Sequence, residues 1–411
     1  MNDKQVLVGL DVGTTKVCTI VGQVSNDSNI DIIGIGTHPS QGLKKGSVVN
    51  IEKTIKSIQC SLEEAKLMAG ININRVSIGI AGSHIYSFNS SGVVAVKGRE
   101  INQDDVDRVI DAAKAIVIPS DREIIHVIPQ EFTVDSTKGI KNPIGMYGTR
   151  LEANIHVVTG SISLIQNLVK CVEATGVKIE NITLQPIASS EAVLTAEEKE
   201  MGVVLVDIGG GTTDVAIWKD GNLIHTQIIP VGGNHFTNDL SVALKVPHAE
   251  AERIKVNHGG VIPEKFASNA NVMVSTVAGH PQREVSLRLV AEILGARAEE
   301  LFDIIKEILD EKGLKHQLSG GVVFTGGGAL VNGITELAEY HLESPTKLGY
   351  PQSFGGMTNI MQHPKFSTVL GLLLESQKLK TKYMEEEIST SSSELIGRLS
   401  HSIKQVFKEI F

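Results

Sequence analysis

Two short stretches hold the residue types that could do chemistry. Asp11 is followed by Gly13, Thr14, Thr15 and Lys16, and Asp207 by Gly209, Gly210, Gly211, Thr212 and Thr213. Glycines let a backbone approach an anion closely and adopt positive φ. The amides of such a turn then point at the anion. Threonine hydroxyls add donors, and Lys16 adds a point charge suited to phosphate. The two aspartates are too acidic to touch phosphate. Their expected task is to hold Mg²⁺, mostly through its waters, because Mg²⁺ keeps several of them. One such turn alone reads equally well as a plain hairpin turn; GGGTTD at 209–214 is the stronger of the two. A third glycine cluster, Gly326, Gly327 and Gly328, is a candidate surface for a nucleotide base or ribose. It is not GxGxxG, so no dinucleotide fold is implied.

These residues need a strand–turn–strand scaffold, and the chain supplies it twice. Residues 6–22 read VLVGLDVGTTKVCTIVG and residues 203–218 read VVLVDIGGGTTDVAIW. Each is an apolar strand, an Asp-x-Gly turn and a second apolar strand. A duplicated domain explains the echo. The third cluster lies between an apolar strand and a helical pattern in VVFTGGGALVNGI at 322–334. Strand-like and helical stretches alternate, the rhythm of α/β architecture. Residues 84–162 differ, with strands expected at Gly92–Val96, Ile124–Pro129 and Asn154–Thr159. A helix is expected over Gln103–Ala115 behind Asn102 as N-cap. This segment reads as an inserted subdomain. Residues 283–312 read as one long helix.

The chain has 411 residues, 41% hydrophobic and 21% charged, ordinary for a globular protein of two or three domains. A net charge of −9 argues against general nucleic-acid binding. Cys18, Cys60 and Cys171 fit no metal or redox spacing and suit a reducing compartment. The N-terminal residues MNDKQVLVGL lack a signal-peptide pattern. No apolar run of about 18 residues predicts a transmembrane helix.

The order of the three glycine motifs resembles the actin/Hsp70/sugar-kinase superfamily: first phosphate motif, second phosphate motif, adenosine motif. LQPIASSEAVL at 184–194 and FSTVLGLLLES at 366–376 resemble its two connecting helices. The resemblance implies that Gln185 orients an attacking water. It places Glu252 and Lys255, in AERIKVNHG, against adenosine, and Gly232 and Gly233, in VGGNHFTNDL, along the nucleotide. Within the superfamily, HVIPQEFTVD at 126–135 and GIKNPIGMYGTRLEANIHVVTG at 139–160 resemble the FtsA family of bacterial cell-division actin homologues. The implied fold is actin-like (a duplicated ribonuclease H-like α/β core in two lobes) with an inserted 1C subdomain in place of 1B. Subdomain 1A would take 1–83, 163–195 and about 360–376; 1C takes 84–162; 2A takes 196–230 and 313–359; 2B takes 231–312. The family implies ATP and Mg²⁺ as cofactors, actin-like protofilaments of the chain itself, and tethering of the FtsZ ring to the cytoplasmic face of the membrane at the division site. It also implies recruitment of later divisome proteins. The FtsZ C-terminal tail would dock on 2B, with Arg297 as a partner. A nucleotide-binding scaffold is expected rather than a metabolic enzyme, with weak ATPase activity left open.

The tail changes composition. Residues 377–393 read as a flexible polar linker. In ELIGRLSHSIKQVFKEIF at 394–411, Leu395, Ile396, Leu399, Ile403, Val406, Phe407, Ile410 and Phe411 fall within about 160° of arc on a helical wheel. Arg398, Lys404 and Lys408 lie on the other side or its edges, where cationic groups reach anionic lipid. This suits a helix lying in the membrane interface. Amphipathicity alone also fits a helix docked on its own core or in a partner groove. A sugar or acetate kinase would need a second-substrate pocket with a base, and none is evident. A pilus-assembly relative shares the core but not this tail. A chaperone ATPase would need a substrate domain after the second connecting segment.

Overall fold

The structure, a computed structural model, describes residues 5–390 apart from 26, 28, 277–280, 316, 353 and 358–361, and gives backbone alone for 382–390. The first lobe opens with β1 (Val6–Val12), β2 (Lys16–Val24) and β3 (Ile30–Pro39), each antiparallel to its neighbour. A two-residue pair, β4 (Leu43–Lys44) and β5 (Ser47–Val48), leads into α1 (Ile51–Ala69) and then β6 (Arg75–Ile80), parallel to β1. Asn50 caps α1 by accepting from the Lys53 amide, and Gly70 ends it at φ 67°, a conformation glycine adopts freely. All of β1 but Val6 is buried, because helices cover both faces of the sheet.

The chain then builds a separate module: β7 (Tyr86–Glu100), α2 (Gln103–Lys114), β8 (Arg122–Val134), β9 (Thr137–Ile140) and β10 (Tyr147–Ser161). Its sheet runs β7-β10-β8-β9 and is antiparallel throughout. Asn102 and Asp105 form a capping box at the start of α2, and Arg99 grips the Asp105 carboxylate at 2.8 and 2.9 Å. Val106, Val109 and Ala113 pack the helix onto the sheet.

The first lobe resumes with α3 (Ile162–Glu173) and β11 (Lys178–Leu184), and α4 (Gln185–Val193) and α5 (Ala196–Met201) cross to the second lobe. There β12 (Val203–Ile208), β13 (Thr213–Lys219) and β14 (Asn222–Ile229) repeat the opening meander. After them come α6 (Gly233–Leu244), α7 (His248–His258), β15 (Asn271–Val274), β16 (Arg283–Ser286), α8 (Leu287–Glu311), β17 (Val322–Thr325), α9 (Ile334–Leu342) and β18 (Thr346–Leu348). Finally β19 (Phe354–Gly356) returns to the edge of the first sheet, and α10 (Ser367–Thr390) follows.

The strand orders show the duplication. The first sheet reads β3-β2-β1-β6-β11 with β19 added beside β3, and the second reads β14-β13-β12-β17-β18. In both, an antiparallel meander is extended by two parallel strands. Helices α4 and α10 lie between the sheets. Ile187, Ala192, Val369, Leu370 and Leu373 share one core with Leu7 and Ile20 of the first sheet and with Leu205 and Trp218 of the second.

Two expectations change. The long helix expected from 283 begins at Leu287, because Arg283–Ser286 pairs with Asn271–Val274 as a hairpin and the Ser286 hydroxyl caps the helix by accepting from the Arg288 amide at 3.2 Å. The linker expected from 377 is helical as far as Thr390. Its residues include neither glycine nor proline before that point, and lysine and glutamate favour helix. Lys378 and Lys380 also tie it down through Glu191 and Glu180.

Candidate functional site: a cleft between two matching hairpins

The two Asp-x-Gly turns close with the same hydrogen bond. The Gly13 amide donates to the Lys16 carbonyl at 3.0 Å, and the Gly209 amide to the Thr212 carbonyl at 2.9 Å. Each bond spans three residues and starts two residues after the aspartate. The turns face each other with glycine set against threonine. A Cβ on Gly210 would lie 2.3 Å from a Thr15 methyl, and one on Gly211 would lie 2.6 Å from the Thr14 hydroxyl. Only glycine permits this approach.

Between and beside them is a cleft of about 670 Å³. Asp11, Gly13, Thr14, Thr15, Lys16, Asp207, Gly209, Gly210, Gly211 and Thr212 line one end. Gln185, Gly233, Glu252, Lys255, Gly326, Gly327 and Gly328 also line it. Thr213 and Gly232 stand behind the wall. The Thr213 hydroxyl donates to the Val231 carbonyl at 2.8 Å. Gly232 packs so closely that a Cβ would sit 2.8 Å from the Gly209 and Thr212 carbonyl oxygens. The first amides of α6, Gly233 and Asn234, donate to the Gly209 and Gly210 carbonyls, both at 2.8 Å. This turn therefore buttresses the second loop.

Asp11 and Asp207 are 7% and 6% exposed, so two carboxylates have been taken out of water in one cleft. Burial pushes both above the usual carboxylate range; Lys16 pulls Asp11 back, and the Ser189 hydroxyl pulls Asp207 back. The Lys16 ammonium lies 3.7 Å from Asp11 and above the Phe366 ring. It is buried and has no hydrogen-bond partner among the described residues. Sequence reasoning missed a third carboxylate, Asp214. Burial, then the charges of Asp207 and Asp11, push it well above its usual value, and its Oδ1 also lacks a partner. The signal was available: Asp214 pairs with Asp207 across the hairpin as Cys18 pairs with Asp11. Three carboxylates buried in one cleft, with one oxygen of Asp214 unpartnered, suit a cation. Among the described residues no three acidic, His or Cys groups converge to ligate a metal directly.

The walls are tied together internally. Gln185 donates its amide to Asp11 at 3.0 Å. The Lys255 ammonium lies 2.7 Å from Glu252 and donates to the Thr237 hydroxyl at 2.8 Å and the Gly233 carbonyl at 3.0 Å. Burial alone would raise Glu252; hydrogen bonds from Lys255 and Thr237 outweigh it and hold the carboxyl low. Gly326, at φ 87°, turns so tightly that a Cβ would lie 2.3 Å from Asp207 Oδ1. Asn234, Lys365 and Thr368 also line the cleft. Asn234 lies within VGGNHFTNDL next to Gly233 with no role assigned to it, Lys365 directly precedes the second connecting segment, and Thr368 lies unremarked inside it.

Arg297 is far from solvent freedom. It holds Asp239 of α6 in a two-pronged pair at 2.6 and 3.1 Å and also contacts Glu300. Any acidic ligand must compete with those carboxylates. Leu395, Ile396, Arg398, Leu399, Ile403, Lys404, Val406, Phe407, Lys408, Ile410 and Phe411 lie outside the described residues. No described helix is long and apolar enough to cross a membrane.

Comparison with known proteins agrees with this architecture. Among solved structures, the PilM–PilN type IV pilus biogenesis complex superposes with a TM-score of 0.67 at 14% identity, covering 90% of this chain and 98% of that one. MreB5 of Spiroplasma citri bound to ADP superposes with a TM-score of 0.54 at 16% identity, covering 94% and 98%. At such identities the likeness shows the fold alone, and that fold is actin-like. Family models give more. "SHS2 domain inserted in FTSA" matches residues 82–159, and "Cell division protein FtsA" matches residues 204–371. The inserted module is thus the 1C subdomain. The cell division protein FtsA of Pseudomonas aeruginosa is 43% identical over 388 residues, 94% of this chain and 93% of the relative. That of Borreliella burgdorferi is 44% identical over 404 residues, covering 96% and 98%. That of Escherichia coli K12 is 36% identical over 415, covering 98% and 99%. With identity of this order sustained across both hairpins, the inserted module and the two connecting helices, the chain belongs to the FtsA family of cell division proteins.

Proposed function

We propose that this protein binds ATP with Mg²⁺ in the cleft, assembles into actin-like protofilaments, and tethers the FtsZ ring to the cytoplasmic face of the membrane through residues 394–411. It acts there as a platform for later divisome proteins. The observation that carries the nucleotide reading is the opposition of Gly13–Lys16 to Gly209–Thr212 across a cleft holding three buried carboxylates.

In this reading the turn amides and the hydroxyls of Thr14, Thr15 and Thr212 take the phosphates, and Lys16 supplies a compact positive charge. Asp11 and Asp207 hold Mg²⁺ through water; when bound, the ion neutralises phosphate charge. Gly326, Gly327 and Gly328 bring backbone against the ribose or base, with Glu252 and Lys255 opposite. Gln185 orients a water: its NH₂ is engaged by Asp11, which leaves its carbonyl oxygen as the acceptor. The FtsZ tail meets the α6–α8 face, exchanging its carboxylates for those that Arg297 now holds.

The test has two parts. The full chain should bind a fluorescent ATP analogue in a Mg²⁺-dependent way, and Asp11→Ala should abolish it. In co-sedimentation with anionic liposomes, ATP and Mg²⁺, the full chain should pellet and a chain ending at Ser393 should not. Equal nucleotide binding by Asp11→Ala overturns the cleft assignment. Equal pelleting, or none by either, overturns the anchor.

A further inference from the structure

One helix reaches both aspartates. Gln185 and Ser189 lie one turn apart on the same face of α4. Gln185 donates to Asp11 of the first lobe at 3.0 Å, and the Ser189 hydroxyl donates to Asp207 Oδ2 of the second lobe at 2.5 Å. The second connecting helix joins at the same oxygen, where the Thr368 hydroxyl of α10 donates to Asp207 Oδ2 at 3.1 Å. Ser189 is fully buried, so its hydroxyl has been desolvated to serve this contact. The other carboxylate oxygen, Oδ1, is the one facing the Gly326 turn. Two donors converging on Oδ2 fix the rotation of the carboxylate and leave Oδ1 directed at the cleft wall.

We propose that Ser189 and Thr368 are positioning residues that lock Asp207 in the orientation required for water-mediated Mg²⁺ and nucleotide binding. The inference rests on the nucleotide reading of the cleft and adds the parts that orient its second carboxylate. Groups that hydrogen-bond a ligating carboxylate restrict it to one pose, and their loss weakens metal binding although they never touch the metal. The arrangement also makes α4 common to both halves of the duplication. A displacement of this one helix moves the hold on Asp11 and the hold on Asp207 together. Neither residue was identifiable as functional from its type: each stands beside another hydroxyl residue, Ser190 or Ser367, on its connecting helix.

The test is Mg²⁺ dependence. Equilibrium binding of a fluorescent ATP analogue to the full chain is titrated with Mg²⁺ for the wild type, Ser189→Ala, Thr368→Val and Thr368→Ser. The removal of either hydroxyl should raise the half-saturating Mg²⁺ concentration by about ten-fold. Thr368→Ser, which keeps the hydroxyl, should restore the wild-type value. Nucleotide-free melting temperatures identify any variant that fails to fold, and Thr368→Val, nearly isosteric, keeps the test open if Ser189→Ala is unstable. An unchanged Mg²⁺ requirement in a folded Thr368→Val protein overturns the proposal, leaving the hydroxyls as packing. Asp207→Asn separates the two levels. If it too binds nucleotide with unchanged Mg²⁺ dependence, the cleft assignment itself has failed.

Discussion

Gly371 of α10 lies against the Ala188 carbonyl of α4 so closely that a Cβ there would come 1.7 Å from the oxygen. The two connecting helices thus cross in backbone contact at the centre of the molecule. In an exposed helix Gly→Ala would gain about 1 kcal/mol. Here the neighbour is backbone and cannot swing aside. Gly371→Ala should therefore destabilise the fold by about 1–3 kcal/mol, the cost of overpacking, read as a lower urea midpoint. A midpoint equal to or above wild type would show that α4 and α10 can separate freely.

The glycine–threonine contact between the hairpins sets a second expectation. Gly210→Ala forces its Cβ into Thr15. The turns can relieve the clash by parting, and closing them again onto a nucleotide would then cost about 1–3 kcal/mol, roughly five- to 150-fold in affinity. Nucleotide binding should weaken accordingly while the melting temperature changes little, and Thr15→Ala in the same chain should recover part of the loss. If Gly210→Ala binds nucleotide like the wild type, the turns do not need this approach.

Acid should loosen the junction between the inserted module and the second lobe. His156 of β10 is completely buried there, with Nδ1 2.7 Å from Asn89 and Nε2 2.9 Å from the Thr226 hydroxyl. Burial, then the neighbouring charges of His225, Lys312 and His126, lower His156 from 6.5 to about 3. A folded pKa below the unfolded one means that the unfolded chain binds more protons, so stability falls as pH drops below about 6.5. Asp11, Asp207 and Asp214 oppose this, because their raised values favour the folded state as they take up protons. Comparison with His156→Gln isolates the histidine. Urea midpoints taken at about pH 7 and about pH 5 should fall less in the variant than in the wild type. Equal falls would place the acid sensitivity elsewhere.

Arg297 offers a double-mutant cycle. Its guanidinium joins α8 to Asp239 of α6, and both side chains are about three-quarters covered. Arg297→Ala and Asp239→Asn should each cost about 1–2 kcal/mol, with a coupling near 1 kcal/mol. Additive effects would show that the pair contributes nothing to stability and that Arg297 is energetically free for a partner.

Much of this architecture was legible because its signals are local. The echo of Asp11 at Asp207 announced the duplication, and the repeated strand orders are its structural form. Asn102 marked the start of α2 because a cap is a property of a few neighbouring residues. What stayed hidden depends on distant partners. Arg283–Ser286 carries a pattern close to that of the helix after it, and only Asn271–Val274 makes it a strand. Residues 377–390 have linker composition, yet Glu180 and Glu191 hold Lys380 and Lys378 on the body and keep the helix going. The hairpin pattern of the GGGTTD motif sets Asp214 opposite Asp207, but that its carboxylate would be buried with an unpartnered oxygen is a property of the fold. The commitment of Arg297 was equally invisible, because Asp239 is remote in sequence.

Helix α10 begins with Thr368 on Asp207 and runs to Thr390, 24 residues from its start at Ser367. At about 1.5 Å per residue it is a rod of roughly 36 Å. Its first half is fixed to the body, by the core contacts of Val369, Leu370 and Leu373 and by the pairs of Lys378 with Glu191 and Lys380 with Glu180. The remaining stretch, 381–390, extends about 15 Å beyond the last of those pairs. Thr390 is thus held at a set distance from the junction of the connecting helices, on a stand-off that separates the cleft from whatever the rest of the chain engages.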